Sequence, residues 1–319
     1  MSLSAPQSKL TNPFSLTNDE GYVWLKGNLH SHTTNSDGTV SPQERLDGYV
    51  NQGYDFLCIS DHHKITKIDT VSCPDDFTLI QSVELHPDNP FGGQIHHFLA
   101  YNVHEDIDAR AMPPQHVIDA VLDQGGSVWL AHPHWSSINI IRDVLPLRGF
   151  AGIEVFNSTC LRMGRPESGV HWDDWMELEN RLYPALSNDD SHRDEKEDWD
   201  TYQGWTMVRV KDRSPQAIVA ALEVGASYSS TGPDIHDIQI RAITNEDGQK
   251  QAEVTIHCSE AQTILAVGNV YGNQYRVGQD TFTQATFTLR PNLRWVRFEV
   301  IAPNGTKAWS NPFDLTALA

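Results

Sequence analysis

The sequence predicts an α/β barrel followed by a small antiparallel β-sandwich. Three observations carry this expectation. Between residues 22 and 210, short apolar runs alternate with segments of helical periodicity. About seven strand–helix units in roughly 210 residues favour a barrel over an open sheet. After Gly232-Pro233 the helical patterns vanish, and apolar residues alternate with polar ones.

The elements follow in chain order. Residues 1–20 are polar, with Pro6 and Pro13, and read as a loosely attached arm. Strand runs fall at 22–29, 56–60, 79–83, 98–103, 128–131, 152–156, 185–187 and 206–210. A helix at 42–53 follows Ser41, a good cap, with Pro at its first position. A second at 115–124 ends at Gly125-Gly126. A third at 169–182 carries Trp172, Trp175, Met176 and Leu182 at helical spacing. A fourth at 214–224 has Pro215 early and Gly225 after it. The first loop lacks GxGxxG, so a dinucleotide fold has no support. Sandwich strands are expected at 238–244, 252–258, 263–269, 273–277, 281–289 and 295–301. Turn chemistry at 245–248 and 303–305 separates some of them. The organisation is therefore an arm (1–20), a barrel (21–235) and a sandwich (236–319). Residues 228–233 read either as a turn joining barrel to sandwich or as a loop at the site. Trp295 and Trp309 are expected to be buried against the barrel or in the sandwich core.

Composition narrows the function. The chain has 319 residues, 39% of them apolar, with nine Trp, which excludes a disordered protein. No apolar run approaches the ~20 residues that span a bilayer, and the start lacks an apolar signal core. The net charge of -19 disfavours a nucleic-acid polymer as partner. A small anionic substrate stays compatible, because bound cations can dominate one pocket. The four Cys are dispersed and form no CxxC, which argues against a disulfide scaffold and fits the cytoplasm.

Histidine is the outlying residue type, with 15 against 23 Lys+Arg. His30 and His32 close the first strand at i and i+2, so both imidazoles point to one side. Asp37 follows in a Ser-Asp-Gly turn able to fold back. Asp61-His62-His63 closes the second strand, Glu84 the third, His132 a later one, and Asp190-Ser-His192 another. His96-His97 is the exception, lying just before its run. Strand ends of one barrel converge on one face, so these groups can meet. His and carboxylate without Cys suit Zn, Mn or Fe. His86, His104, His116, His171, His236 and His257 are read as solvated or structural.

Several pieces together resemble the PHP (polymerase and histidinol phosphatase) metallohydrolases over residues 22–235. They are His-Ser-His-Thr with Ser-Asp-Gly, Ile-Ser-Asp-His, Val-Glu-Leu, His97-Phe-Leu-Ala-Tyr, Ala-His-Pro, Gly-Ile-Glu-Val-Phe-Asn and Asp-Asp-Ser-His, in family order. The resemblance implies a distorted (β/α)7 barrel with two or three divalent ions. The first ion would take His30, His32, Glu84 and Asp190. The second would share Glu84 and take His97 and His132. The third would take Asp37, His62 and His192. His97 is preferred to His96 on the four residues that follow it. Residues 221–233 and the tail at Trp309-Ser-Asn-Pro are similar to the carbaryl-hydrolase-like branch of the same metallohydrolases.

The expected chemistry is hydrolysis of a small phosphomonoester by metal-activated water, with Glu84 and Asp190 central to the catalytic step. Candidate general acids are His63 and His134. Candidate phosphate contacts are Arg162, Arg165 and Arg193, since Arg forks match phosphate geometry. The alternatives are a carboxylic or carbamate ester hydrolase, and a non-catalytic metal-stabilised binding module.

Overall fold

The computed structural model describes residues 9–88, 96–193, 200–269, 272–291 and 293–316. Local signals place the helices. Ser41 caps α1 (Pro42–Asn51): its hydroxyl accepts the Glu44 N–H, and the Glu44 carboxylate accepts the Ser41 N–H. Helices α2 (Pro114–Asp123), α3 (Gly169–Glu179) and α4 (Pro215–Glu223) follow. The third is shorter than its periodicity suggests, because Asn180 ends it in the left-handed conformation at φ 52°.

Seven strands form the barrel-like sheet: β1 (Val23–Asn28), β2 (Phe56–Ile59), β3 (Thr78–Leu85), β4 (Phe98–Tyr101), β5 (Ser127–Leu130), β6 (Phe150–Asn157) and β7 (Ala185–Asn188). The pairs β1–β2, β2–β3, β5–β6 and β6–β7 are parallel. Beyond β7, a parallel bridge between Ser31 and Ser191 returns to the end of β1. Side chains of Leu25, Phe56, Ile80, Leu99, Trp129 and Leu186 are buried in one interior cluster.

Strand β4 breaks the parallel pattern. It runs antiparallel to both β3 and β5, with Leu85 opposite Phe98. Its beginning therefore lies at the barrel end where the parallel strands finish. This explains why His97 precedes its strand while the other candidates lie at or beyond the ends of theirs.

Strands β8 (Trp205–Val210) and β9 (Ser227–Ser230) extend the sheet beside β1. They lead into β10 (Ile235–Thr244), β11 (Lys250–Gly268), β12 (Gln274–Thr288), β13 (Trp295–Ile301), β14 (Lys307–Ser310) and β15 (Phe313–Asp314). Two expectations change here. The runs 252–258 and 263–269 are halves of the single strand β11, because register shifts around Ala261 bend the strand without ending it. The runs 273–277 and 281–289 are likewise parts of β12. Residues 228–233 divide: Tyr228–Ser230 belongs to β9, which pairs with both β8 and β14, and residues 231–233 connect it to β10. The sheet thus continues unbroken from the barrel into the C-terminal strands. Trp309 and Trp295 are buried in the same apolar cluster as the barrel residues Phe98, Phe150 and Phe156. The described part of the arm is fastened rather than loose. Thr11 N–H donates to Val224 O at 2.7 Å and Arg209 Nε to Leu16 O at 3.0 Å.

Candidate metal centre

The site forms where the strand ends of the barrel meet. His30 and His32 extend β1, and both are fully buried. Arg45 of α1 donates through Nε to His32 O at 3.1 Å, so the first helix secures the second imidazole's backbone. Asp37 reaches back because its turn is tight: Gly38 N–H donates to Thr33 O at 2.9 Å. A Cβ on Gly38 would lie 2.6 Å from the His32 carbonyl carbon, which restricts the position to glycine. Asp61 ties the same turn down, accepting Thr33 N–H and the Thr33 and Ser36 hydroxyls, each at 2.7 Å.

Glu84 at the end of β3 is the centre of the cluster. Its Oε2 lies 3.1 Å from His30 Nε2, 3.2 Å from His32 Nε2 and 3.1 Å from His62 Nδ1. Its Oε1 lies 2.7 Å from His97 Nδ1 and 3.4 Å from His132 Nε2. Asp190 Oδ1 is 3.1 Å from His30 Nε2 and 2.9 Å from His32 Nε2. Asp37 Oδ2 is 3.4 Å from both His62 Nε2 and His192 Nε2. Among the described residues five groups of donor atoms each lie within 4.8 Å, and three of them match the expected sets: His30, His32, Glu84 and Asp190; Glu84, His97 and His132; and His32, Asp37, His62 and His192. His97 faces Glu84, whereas His96 turns away to the Asp143 carbonyl at 3.1 Å.

Glu84 is hydrogen-bonded to His30 Nε2 and His97 Nδ1, but several of the other close contacts are not hydrogen bonds. His32 Nδ1 and Nε2, His62 Nδ1 and Asp190 Oδ1 are all buried and have no hydrogen-bond partner. Donor atoms on one tetrahedral Zn ion, with bonds of 2.0–2.1 Å, lie about 3.3 Å apart. The spacing and the unpartnered buried atoms therefore fit cations between the groups, and the imidazole–carboxylate donor set fits Zn, Mn or Fe.

Electrostatics point the same way. Burial opposes the charge on His62, but Glu84 and Asp37 outweigh it and hold the imidazole up at about 10. His192 is likewise held up at about 9, with Asp190 and Asp37 overcoming burial. Burial pushes His97 down to about 3. Burial also works against the charge on Asp37, Glu84 and Asp190. The facing imidazoles nevertheless hold all three carboxyls well below the usual range. Without cations, the cluster balances its acids with protons on histidine.

Backbone strain collects here too. His132 and Asp190 have φ of 23° and 56°. Asp190 N–H donates to His30 O at 2.9 Å, and His132 N–H to Glu154 Oε2 at 3.0 Å. Glu154 is fully buried and was given no role by the sequence. It also accepts from His30 Nδ1 at 3.0 Å and from Asn157 and Asn188, each at 2.9 Å. The His30 contact puts the proton on Nδ1 and leaves Nε2 to face the cluster.

A cavity of about 210 Å³ opens over the cluster, lined by Asp37, His62, Glu84, His97, His132, Asp190 and His192 together with Trp135, Thr159, Cys160 and Met163. The remaining sequence candidates are not among its lining residues. His134 donates through Nδ1 to Glu167 O at 2.9 Å, away from the cavity. His63 packs on His86, and burial lowers it to about 4. Arg165 is bound to Ser137 Oγ at 2.7 Å, and Arg162 and Arg193 are exposed. His86, read as solvated or structural, stacks on His97 at 3.7 Å and groups with His62 and Glu84. Its signal was the i, i+2 spacing from Glu84, the rule that linked His30 to His32.

No family model matches the chain. Over its full length the fold is similar to a two-domain protein of Bacteroides vulgatus ATCC 8482, described as containing a predicted PHP-like metal-dependent phosphoesterase. The TM-score is 0.52 at 16% identity, covering 98% of this chain and 99% of that one. An amidohydrolase from Chromobacterium violaceum is similar with a TM-score of 0.42 at 13% identity, over 53% of this chain and 88% of that one. Over 44 residues, 14% of the chain, it is 39% identical to the DNA polymerase/3'-5' exonuclease PolX of Bacillus subtilis (strain 168). That stretch spans only 8% of the polymerase's length. The fold is PHP-like, a mixed barrel with appended antiparallel strands, in agreement with the family that the motifs resemble.

Proposed function

We propose that the chain is a metal-dependent hydrolase that cleaves a small phosphomonoester with water as the nucleophile. The supporting observation is that His32 Nδ1 and Nε2, His62 Nδ1 and Asp190 Oδ1 are buried among the clustered imidazoles and carboxylates without a hydrogen-bond partner. The proposed ligand sets are those implied by the motifs, for two or three ions. Divalent cations there would supply Lewis acidity and a water acidic enough to ionise near neutral pH.

The chain's own residues do the positioning. Glu84 presents one oxygen to His97 and His132 and the other to His30, His32 and His62, so it spans the first two sets. Asp190 shares its oxygen between His30 and His32 and closes the first set. Asp37, Glu84 and Asp190 are the carboxylates lining the cavity. Against two or three dications they leave a net charge of +1 or +3, which attracts an anionic ester without an arginine in the lining. Trp135, Cys160 and Met163 beside the cluster support the second reading, a carboxylic or carbamate ester hydrolase.

The same proposal makes 21–235 the hydrolase domain and 236–319 an accessory β-domain, supported by a second apolar cluster drawn mostly from the C-terminal strands. It places the protein in the cytoplasm, which suits its four free cysteines. Among the described residues, no helix is long and apolar enough to cross a membrane. The test is a panel of phosphomonoesters, phosphodiesters and carboxylic esters after loading with Zn, Mn or Fe. Chelator-sensitive phosphomonoester turnover supports the proposal. Turnover of esters alone moves the assignment to the second reading, and no turnover at full metal content refutes both.

A further inference from the structure

We propose that the cavity selects substrates with an aromatic leaving group, held by Trp135 and Met163. This rests on the hydrolase reading above and adds the substrate class to it. Trp135 follows β5, and its ring makes edge contacts with His132 at 4.9 Å and His97 at 5.4 Å. The indole is therefore packed directly against the second proposed ligand set. A group attached to an atom reacting there begins within reach of the indole.

The other wall residues come from the turn Thr159–Met163 after β6. They offer little to a polar leaving group. The Thr159 hydroxyl is committed to Asp190 O at 2.7 Å and Asp200 Oδ2 at 3.0 Å. Burial pushes the Cys160 thiol far up, so it presents an uncharged, apolar surface. Met163 is 45% exposed, and its flexible thioether can close over a ring at the mouth. The cavity of about 210 Å³ is below the ~300–1,000 Å³ of sites for drug-sized ligands. It suits one ring and a tetrahedral head group rather than a polymer.

The test uses the full chain at measured metal content. Calorimetry compares benzylphosphonate with ethylphosphonate, two non-hydrolysable probes that differ in the ring. Benzylphosphonate should bind about 10- to 100-fold more tightly, the scale of burying one aromatic side chain. Trp135→Ala, compared with the wild type at matched metal content, should reduce that ratio to within about threefold, through loss of benzylphosphonate rather than ethylphosphonate affinity. Met163→Ala, on the exposed rim, should keep the fold and lose part of the ratio. Equal affinities in the wild type, parallel weakening of both probes, or no binding of either overturns the inference. Turnover of benzyl and ethyl phosphate, whose leaving alcohols have similar acidity, is read separately. Preferential phosphonate binding without turnover sinks the hydrolase reading and keeps the aromatic subsite.

Discussion

The barrel end and the C-terminal strands both bury charge, and they treat it in opposite ways. Arg297 on β13 is 2% exposed and fully answered. It donates to both Asp173 oxygens at 2.7 and 2.8 Å and to Glu299 at 2.6 Å, and it lies over the Trp172 ring. At the barrel end, His32, His62 and Asp190 lie 2.9 to 3.4 Å from opposite partners, yet His32 Nδ1 and Nε2, His62 Nδ1 and Asp190 Oδ1 make no hydrogen bonds. A buried charge satisfied by protein is structural. A buried set left unsatisfied, and strained at His132 and Asp190, is built for something from outside the chain.

The largest effect should come from the unsatisfied side. Asp190→Ala should lower kcat/KM of the metal-loaded protein by several orders of magnitude while leaving the thermal transition in place, because metal activation moves water from about 15.7 towards about 7. Steady-state kinetics beside a melting curve checks this, and comparable loss of both would break the contrast. Arg297→Ala should do the reverse. Removing one partner of a buried pair costs about 3–5 kcal/mol, read by urea unfolding, with kcat/KM unchanged.

Glu154→Gln is a sharper probe. All four partners of Glu154 are donors, so an amide places N–H against N–H. Metal affinity should fall about 10- to 100-fold in a titration, the usual effect of losing the group behind a metal-binding histidine.

The smallest effect is a pH dependence. His62 and His192 lie above their ordinary 6.5 in the metal-free fold, at about 10 and 9. Their stabilisation is full below pH 6.5 and is lost as pH rises through 9 to 10. With cations bound, the imidazoles are neutral and that loss disappears. Melting curves of chelated and loaded protein between pH 7 and 10 should therefore diverge as pH rises.

Most strands and all four helices could be read locally, because alternation, caps and Gly or Pro punctuation are local signals. The direction of β4 could not be, since no pattern within Phe98–Tyr101 distinguishes a parallel strand from an antiparallel one. The bends within β11 and β12 looked like strand breaks, because a bulge interrupts alternation as a turn does. In the site, the residues that motifs and strand ends single out do converge. Glu154 escaped because its work is hydrogen bonding across 124 residues to His30. His86, two residues after Glu84, is legible by the same spacing that links His30 to His32. Charge and proximity in sequence do not set which loop faces a cavity, and Arg162, Arg165 and Arg193 are not among the lining residues.

Metal content tests directly whether the unsatisfied cluster holds ions. Elemental analysis of the purified chain, after reconstitution with Zn, Mn or Fe and removal of free metal, should give two or three ions per chain. Substitution of His30 or His32 should reduce that number with the fold retained. Less than one ion per chain in the folded wild type would contradict the account.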